Sequence, residues 1–301
     1  MNGMKNIDAF SGYHPMVNFL YFGLVIGFSM FFMHPVCLLI SLICSLCYHI
    51  KLNGKKSSRF FVRYALPIML MTALINPAFN HQGTFILCYL PTGNPLTLES
   101  ILYGIAAAVM LVSVLLWFGC YTAVMTSDKF VYLFGKIIPS LSLILSMTLR
   151  FVPKFKSQFI SVKEAQICMG RNISNGNLWK RFKSAVTCFS IMVTWSLENA
   201  IETSDSMKGR GYGLKGRTAF SIYTLKEQDK AVLLWFAFCG LYLLSGSLSG
   251  GLFWQYFPSI HGVLTKPLTL SFELIYFTLC ITPLIIDGRK ERAWKFLQSK
   301  I

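Results

Sequence analysis

"LESILYGIAAAVMLVSVLLWFGCYTAVM", Leu98–Met125, carries no charge in its interior. A straight transmembrane helix needs about 20 such residues. This run therefore reads as a membrane span, and the rest of the chain is organised around it. Working outward by apolar periodicity, five further runs qualify: Val17–Met33, Pro35–Ile50, Tyr64–Phe79, Ala231–Leu248 and Leu268–Ile286. The second and third runs in chain order are shorter than a straight span requires, so flanking residues have to extend them. His34-Pro35 fits a tight reversal between the first two spans, because proline cannot continue a helix.

Composition agrees with a polytopic membrane protein. The 301 residues are 54% hydrophobic and 13% charged, against about 45–50% apolar and about 25% charged in soluble domains. Mean hydropathy is +0.55. Lys+Arg 28 against Asp+Glu 12 gives a net charge of +16. In a membrane chain that excess reads as retention of loops on the cytoplasmic side and not as a nucleic-acid footprint. The cations alternate along the chain. Lys51, Lys55, Lys56, Arg59 and Arg63 fill the 51–63 segment, whereas 80–97 has no Lys or Arg. The 126–230 segment is rich in both, 249–267 has only Lys266, and the tail carries Arg289, Lys290, Arg292, Lys295 and Lys300. Six spans with both termini and 126–230 in the cytoplasm satisfy this pattern. A cleaved signal peptide is not expected, because the first apolar run leads straight into a second.

The segment between the fourth and fifth spans is too long for a structureless loop. It reads as helices over Lys129–Ile138, Leu141–Val152 (stopped by Pro153) and Lys154–Met169. After a turn at Gly170 and Asn175-Gly176, a long helix capped by Asn177 runs to about Lys208. Within it Ser184–Leu197 is apolar around its circumference, yet too short to span, and reads as buried or interfacial. Beyond Leu197 the helix turns amphipathic: Leu197, Ala200, Ile201 and Ser204 share one face, and Glu198, Glu202 and Asp205 another. Glu198 and Glu202 are like charges at i,i+4, which costs a few tenths of a kcal/mol. Gly209-Arg210-Gly211 closes the helix. Lys208 and Arg210 there complement the helix dipole, worth ~0.3–1 kcal/mol. The competing reading is that glycine clears space for a partner surface and Arg210 makes a two-point contact to a carboxylate.

Catalytic and cofactor signatures are missing from the sequence. Gly211, Gly213 and Gly216 spell GxGxxG, but they follow a helix and not a strand. No GxxxxGK[ST] occurs, and His14, His34, His49, His81 and His261 are scattered without metal-ligand spacing. Glu273 reads as interfacial, and no other carboxylate falls clearly inside a span, which weakens a proton-coupled carrier. The cysteines Cys37, Cys44, Cys47, Cys88, Cys120, Cys239 and Cys280 lie in or beside apolar runs. They read as small hydrophobes, not as a disulfide framework, and the CxxC at Cys44 and Cys47 has no second pair.

Four separated blocks then resemble one family. They are "ALINPAFNHQGTFILCYLPTGNPLTLESILYG" (Ala73–Gly104), "LRFVPKF" (Leu149–Phe155), "KEAQICMG" (Lys163–Gly170) and "ENAIETSDSMKGRGYG" (Glu198–Gly213). In this order they are similar to the transmembrane T component of energy-coupling factor (ECF) transporters, over roughly 65–300, with the N-terminal spans matching in hydropathy alone. The resemblance implies an all-α membrane bundle in a bacterial cytoplasmic membrane, with both termini inside. Its parts are a four-helix region over 1–125, a cytoplasmic coupling-helix domain over 126–230, and two helices with a basic tail over 231–301.

It further implies a non-catalytic subunit with no cofactor of its own. Such a subunit docks two ABC-type ATPase subunits, which bind the ATP, and holds a substrate-binding S component in the lipid. ATPase movement passed through the coupling helices topples the S component and releases a vitamin or metal ion inside. The family's two Ala-Arg-Gly signatures fall on Gly209-Arg210-Gly211, with Gly in place of Ala, and on Cys168-Met169-Gly170, where Met169 replaces Arg. Arg171 is adjacent to the second of these and is a candidate substitute. The readings from other classes are a multipass enzyme acting on a lipid, which needs an acid/base or metal set, and a stand-alone secondary carrier, which predicts inverted repeats.

Overall fold

The structure is a computed structural model describing residues 8–89, 95–135, 138–170, 178–214, 223–262 and 266–298. It divides into two compact units, Met1–Lys129 with Tyr223–Ile301, and Phe130–Ile222.

In the first unit, α1 (Pro15–Phe31), α2 (Pro35–Asn53), α4 (Leu66–Phe79), α5 (Leu98–Val124), α9 (Glu227–Leu248) and α10 (Pro267–Gln298) coincide with the six apolar runs. Five segments are long and apolar enough to cross a membrane, and α1 is a shorter apolar helix. The two short runs are extended from the basic 51–63 segment, which is helical and not a loop. Helix α2 continues to Asn53. Gly54, at φ 54°, turns the chain, and α3 (Lys55–Phe60) runs through a π-helical turn into α4. The result is an apolar segment over Ser57–Phe79. Buried Ser57 hydrogen-bonds His49 across this turn and closes it. Charged side chains hid these extensions, since a window of mean hydropathy ends where Lys and Arg begin.

Helix interfaces follow from residue size. On α5, Gly104, Ala108, Val112, Leu116, Cys120 and Val124 recur every four residues and are all buried. A Cβ at Gly104 would meet the Ala73 carbonyl oxygen of α4 at 2.9 Å, and one at Gly119 would meet His49 Nε2 at 2.8 Å. Small residues let helix backbones approach closely where lipid supplies no hydrophobic drive between them. The core holds Phe10, Tyr21, Phe22, Trp117, Phe236 and Tyr276. Two of its polar tips are bonded: Trp117 Nε1 donates to Ser41 Oγ (3.0 Å) and Tyr21 OH to the Cys280 carbonyl (3.1 Å). All nine cysteines are free, and six of them are buried. The 80–97 segment contributes a short hairpin, β1 (Ile86–Tyr89) with β2 (Pro95–Thr97), and a second pairs β3 (Trp254–Gln255) with β4 (His261–Gly262). Among the described residues the remaining regular elements are helices.

Glu273 faces the interior of the helix bundle. Its carboxylate lies 3.2 Å from Nδ1 of fully buried His34, and its side chain is 8% exposed. The histidine at the α1–α2 reversal supplies a partner that sequence distance conceals. Glu99, Asp229 and Asp287 are also buried and accept backbone N–H groups, the first two from the first turns of α5 and α9. At the end of the bundle opposite His34, Asp8 accepts from Tyr48 OH (2.8 Å), and Lys51 reaches Asp287 and Glu291. Lys129 Nζ donates to Ser11 and to the Val124 carbonyl, and burial lowers this ammonium below its ordinary pKa. The segment before α1 is thereby pinned to α2, α5 and α10.

The second unit is a pair of long helices, α7 (Pro139–Cys168) and α8 (Leu178–Gly209), preceded by α6 (Ser127–Gly135), which starts in the first unit. Pro153 does not stop a helix: α7 runs through it, joining the two helices expected on either side. Proline forfeits one i→i−4 bond. The carbonyl it frees belongs to Leu149, an exposed residue. Residue Asn177, expected as the α8 cap, lies outside the described residues.

Candidate docking site at the ends of α7 and α8

Helices α7 and α8 pack around Val162, Cys188 and Met192. Phe155 meets the Trp195 ring edge-on at 5.4 Å, and Lys154 lies over the same ring while donating to Asn199 Oδ1. Met147 and Phe151 share a groove with Met207 and Tyr212. These pairings make the helices antiparallel, so their C-terminal ends point in opposite directions.

Both ends are built alike. In α8 the N–H of Gly211 donates to the Lys208 carbonyl (2.9 Å), and the N–H of Tyr212 to that of Met207 (3.0 Å). Gly211 has φ 77°. This is a Schellman cap, which needs a left-handed residue just past the helix, normally glycine. In α7, Gly170 has φ 76° and its N–H donates to the Ile167 carbonyl (2.9 Å). The residue before each glycine is the C-cap: Met169 in α7 and Arg210 in α8. Both are exposed. The two signatures thus place Met169 and Arg210 at equivalent positions of two helix ends. Taking Met147 as the neighbour of the α8 end, the ends are on the order of 30 Å apart at 1.5 Å rise per residue.

The remaining sequence-derived residues divide by this geometry. Cys168 is the exposed last residue of α7. Gly211 is accounted for by the cap. Gly209 is not, since an added Cβ there would meet nothing within 4 Å, so the chain itself accommodates alanine. Glu198 and Glu202 are exposed and, among the described residues, form no salt bridge. They lie two or more turns before the cap and are not brought to Arg210. Arg171 lies outside the described residues. Among the described residues no group of three or more His, Cys, Asp or Glu side chains is placed to hold a metal ion.

Sequence reading missed the grooves. Phe155, Phe159, Val186, Phe189, Met192 and Val193 line an apolar groove of about 760 Å³ between the helices. Ser184–Leu197 is therefore neither buried nor apolar to no purpose: one side packs on α7 and another is bare, with Phe189 70% exposed. The signal was present as the 3-4-3-4 spacing of Trp179, Phe182, Val186, Phe189 and Val193.

Comparison with known proteins agrees with the resemblance in kind and shifts its limits. Residues 12–220 match the family CbiQ, described as cobalt transport protein. The match takes in the N-terminal spans and stops before the last two. The energy-coupling factor transporter transmembrane protein EcfT of Bacillus selenitireducens is 32% identical over 112 residues, 37% of this chain and 42% of that protein. The EcfT of Lactobacillus helveticus is 32% identical over 100 residues, 33% and 36% respectively, and that of Bacillus subtilis 26% over 98 residues, 32% and 37%. The aligned stretch covers less than half of each relative. A multi-pass helical architecture and a family match over more than half of its length agree: this chain belongs to the CbiQ family of cobalt transport proteins.

Proposed function

We propose that the chain is the transmembrane energy-coupling subunit of an ECF-type importer, joining two ABC-type ATPase subunits to a substrate-binding S component that takes up a vitamin or metal ion. The carrying observation is the matched pair of glycine-capped helix ends with Met169 and Arg210 at the same cap position. Each end suits one ATPase. The separation and opposite direction of the ends favour two partner subunits over a single one.

The two contacts differ chemically. A guanidinium at Arg210 offers a directional, two-point contact to a carboxylate. Met169 offers a flexible apolar one. The apolar groove along α7 and α8 suits an apolar helix face of the S component, since such grooves take amphipathic helices. A 32-residue helix such as α8, about 48 Å long, joins groove and cap in one rigid element and carries displacement between them. ATP is bound by the partners, and the chain itself is assigned no reaction or cofactor. The loop charges favour a bacterial cytoplasmic membrane location with both termini inside.

Arg210→Glu tests this reading. Breaking one side of a buried charged pair costs roughly 3–5 kcal/mol. The variant should insert into membranes normally yet fail to recover at least one ATPase in a pull-down. Unchanged recovery of both would refute the assignment.

A further inference from the structure

The first turns of α8 carry a feature that ATPase docking leaves unused. Trp179 and Phe182 stack at 6.0 Å, 74% and 62% exposed, beside exposed Leu178. Lys180, Arg181 and Lys183 share the same six residues, and no acid occurs from Leu178 to Leu197. Among the described residues neither Lys180 nor Lys183 has a salt-bridge partner. The helix gains nothing from this placement, because cations at the amino end oppose its dipole. The acids Glu198, Glu202 and Asp205 all fall in the other half. Charge is therefore polarised along α8, positive and aromatic in front, acidic behind.

We propose that Trp179, Lys180, Phe182 and Lys183 form an anchor for the headgroup region of an anionic phospholipid bilayer. Aromatic rings settle at the membrane interface, and basic side chains beside them pair with anionic headgroups. The other half sets Glu198, Glu202 and Asp205 against Lys208 and Arg210 and is drawn to such a surface less strongly than the first turns. This inference does not depend on the transport reading, and its test contains neither ATPase nor S component.

The test is amide hydrogen exchange of the full chain in nanodiscs of phosphatidylcholine alone or with one-third phosphatidylglycerol. A helix's first four N–H groups have no intrahelical acceptor, so residues 178–183 report docking directly. The anchor predicts slower exchange there in anionic discs, lost at high salt. Each lysine near an anionic surface changes the docked-to-free ratio by about fivefold, so Lys180→Gln with Lys183→Gln should reduce the lipid-dependent protection by about 30-fold. Trp179→Ser should weaken it in both lipids. Unchanged exchange over 155–165 shows that each variant is folded. Equal exchange in the two disc types, or protection that appears only when a protein partner is added, overturns the proposal.

Discussion

Replacing Gly211 with alanine separates the two reasons for a glycine in Gly209-Arg210-Gly211. Gly211 sits at φ 77°, where an L-residue costs about 1–2 kcal/mol. The new Cβ would lie 2.9 Å from Leu214 Cδ1, the tip of a flexible side chain that rotates away cheaply, so the backbone penalty dominates. The loss falls on the cap, not on the whole chain. With 1.4 kcal/mol per factor of ten, the Tyr212 amide, bonded to the Met207 carbonyl in the cap, should exchange about 5- to 30-fold faster. Docking through Arg210 should weaken too, by at most that factor, because affinity follows the fraction of molecules that are capped. Gly209→Ala should do the opposite. Its Cβ enters open space, and alanine favours helix over glycine by about 0.5–1 kcal/mol, so exchange slows or stays level and docking is kept. Hydrogen exchange with mass spectrometry on both variants, followed by ATPase pull-down, decides the matter. Equal exchange at Tyr212 in Gly211→Ala and the parent, or a larger defect in Gly209→Ala, would refute the capping argument.

Other expectations follow from the same geometry. Met169→Ala should weaken ATPase binding less than Arg210→Ala and with a shallower salt dependence, read from dissociation at low and high ionic strength; equal losses with equal salt dependence would remove the asymmetry between the two ends. Gly104→Val should force α4 away from α5, because its Cβ meets a backbone oxygen that cannot rotate aside; overpacking of this kind costs about 1–3 kcal/mol, visible as faster proteolysis of the α4 segment in detergent, and undisturbed proteolysis would contradict it. Glu273→Ala should lower the melting temperature by leaving the buried His34 ring without its carboxylate, at about 1–3 kcal/mol; an unchanged melting curve would show that the pair contributes nothing.

The spans were legible because apolar runs of the right length have few alternatives. Their ends were not, because Lys51–Asn53 and Ser57–Arg63 are polar in sequence yet helical in the fold. Pro153 was misread for a physical reason: proline removes one hydrogen bond, and an exposed residue tolerates that loss. The His34–Glu273 pair joins residues from opposite parts of the chain, which no local pattern reveals. At the site, Gly170 and Gly211 were readable as helix ends. The equivalence of Met169 and Arg210 came from resemblance, and the shared cap geometry gives it a physical basis. Which side of Ser184–Leu197 is bare was legible only in the large residues Val186, Phe189 and Val193, a stripe that the small apolar residues around it obscure.

The central claim is that this chain transmits work and does no chemistry of its own. It is tested most directly by ATP-dependent uptake in liposomes that contain the purified chain alone, the chain with two ATPases and an S component, or the same complex carrying Ala200→Pro. Proline in the middle of α8 costs about 3 kcal/mol or more and interrupts the element joining groove to cap. Uptake only in the complete complex, lost or uncoupled from ATP hydrolysis in the proline variant, is the predicted result. Uptake by the chain alone, or full uptake by the proline variant, would contradict the account.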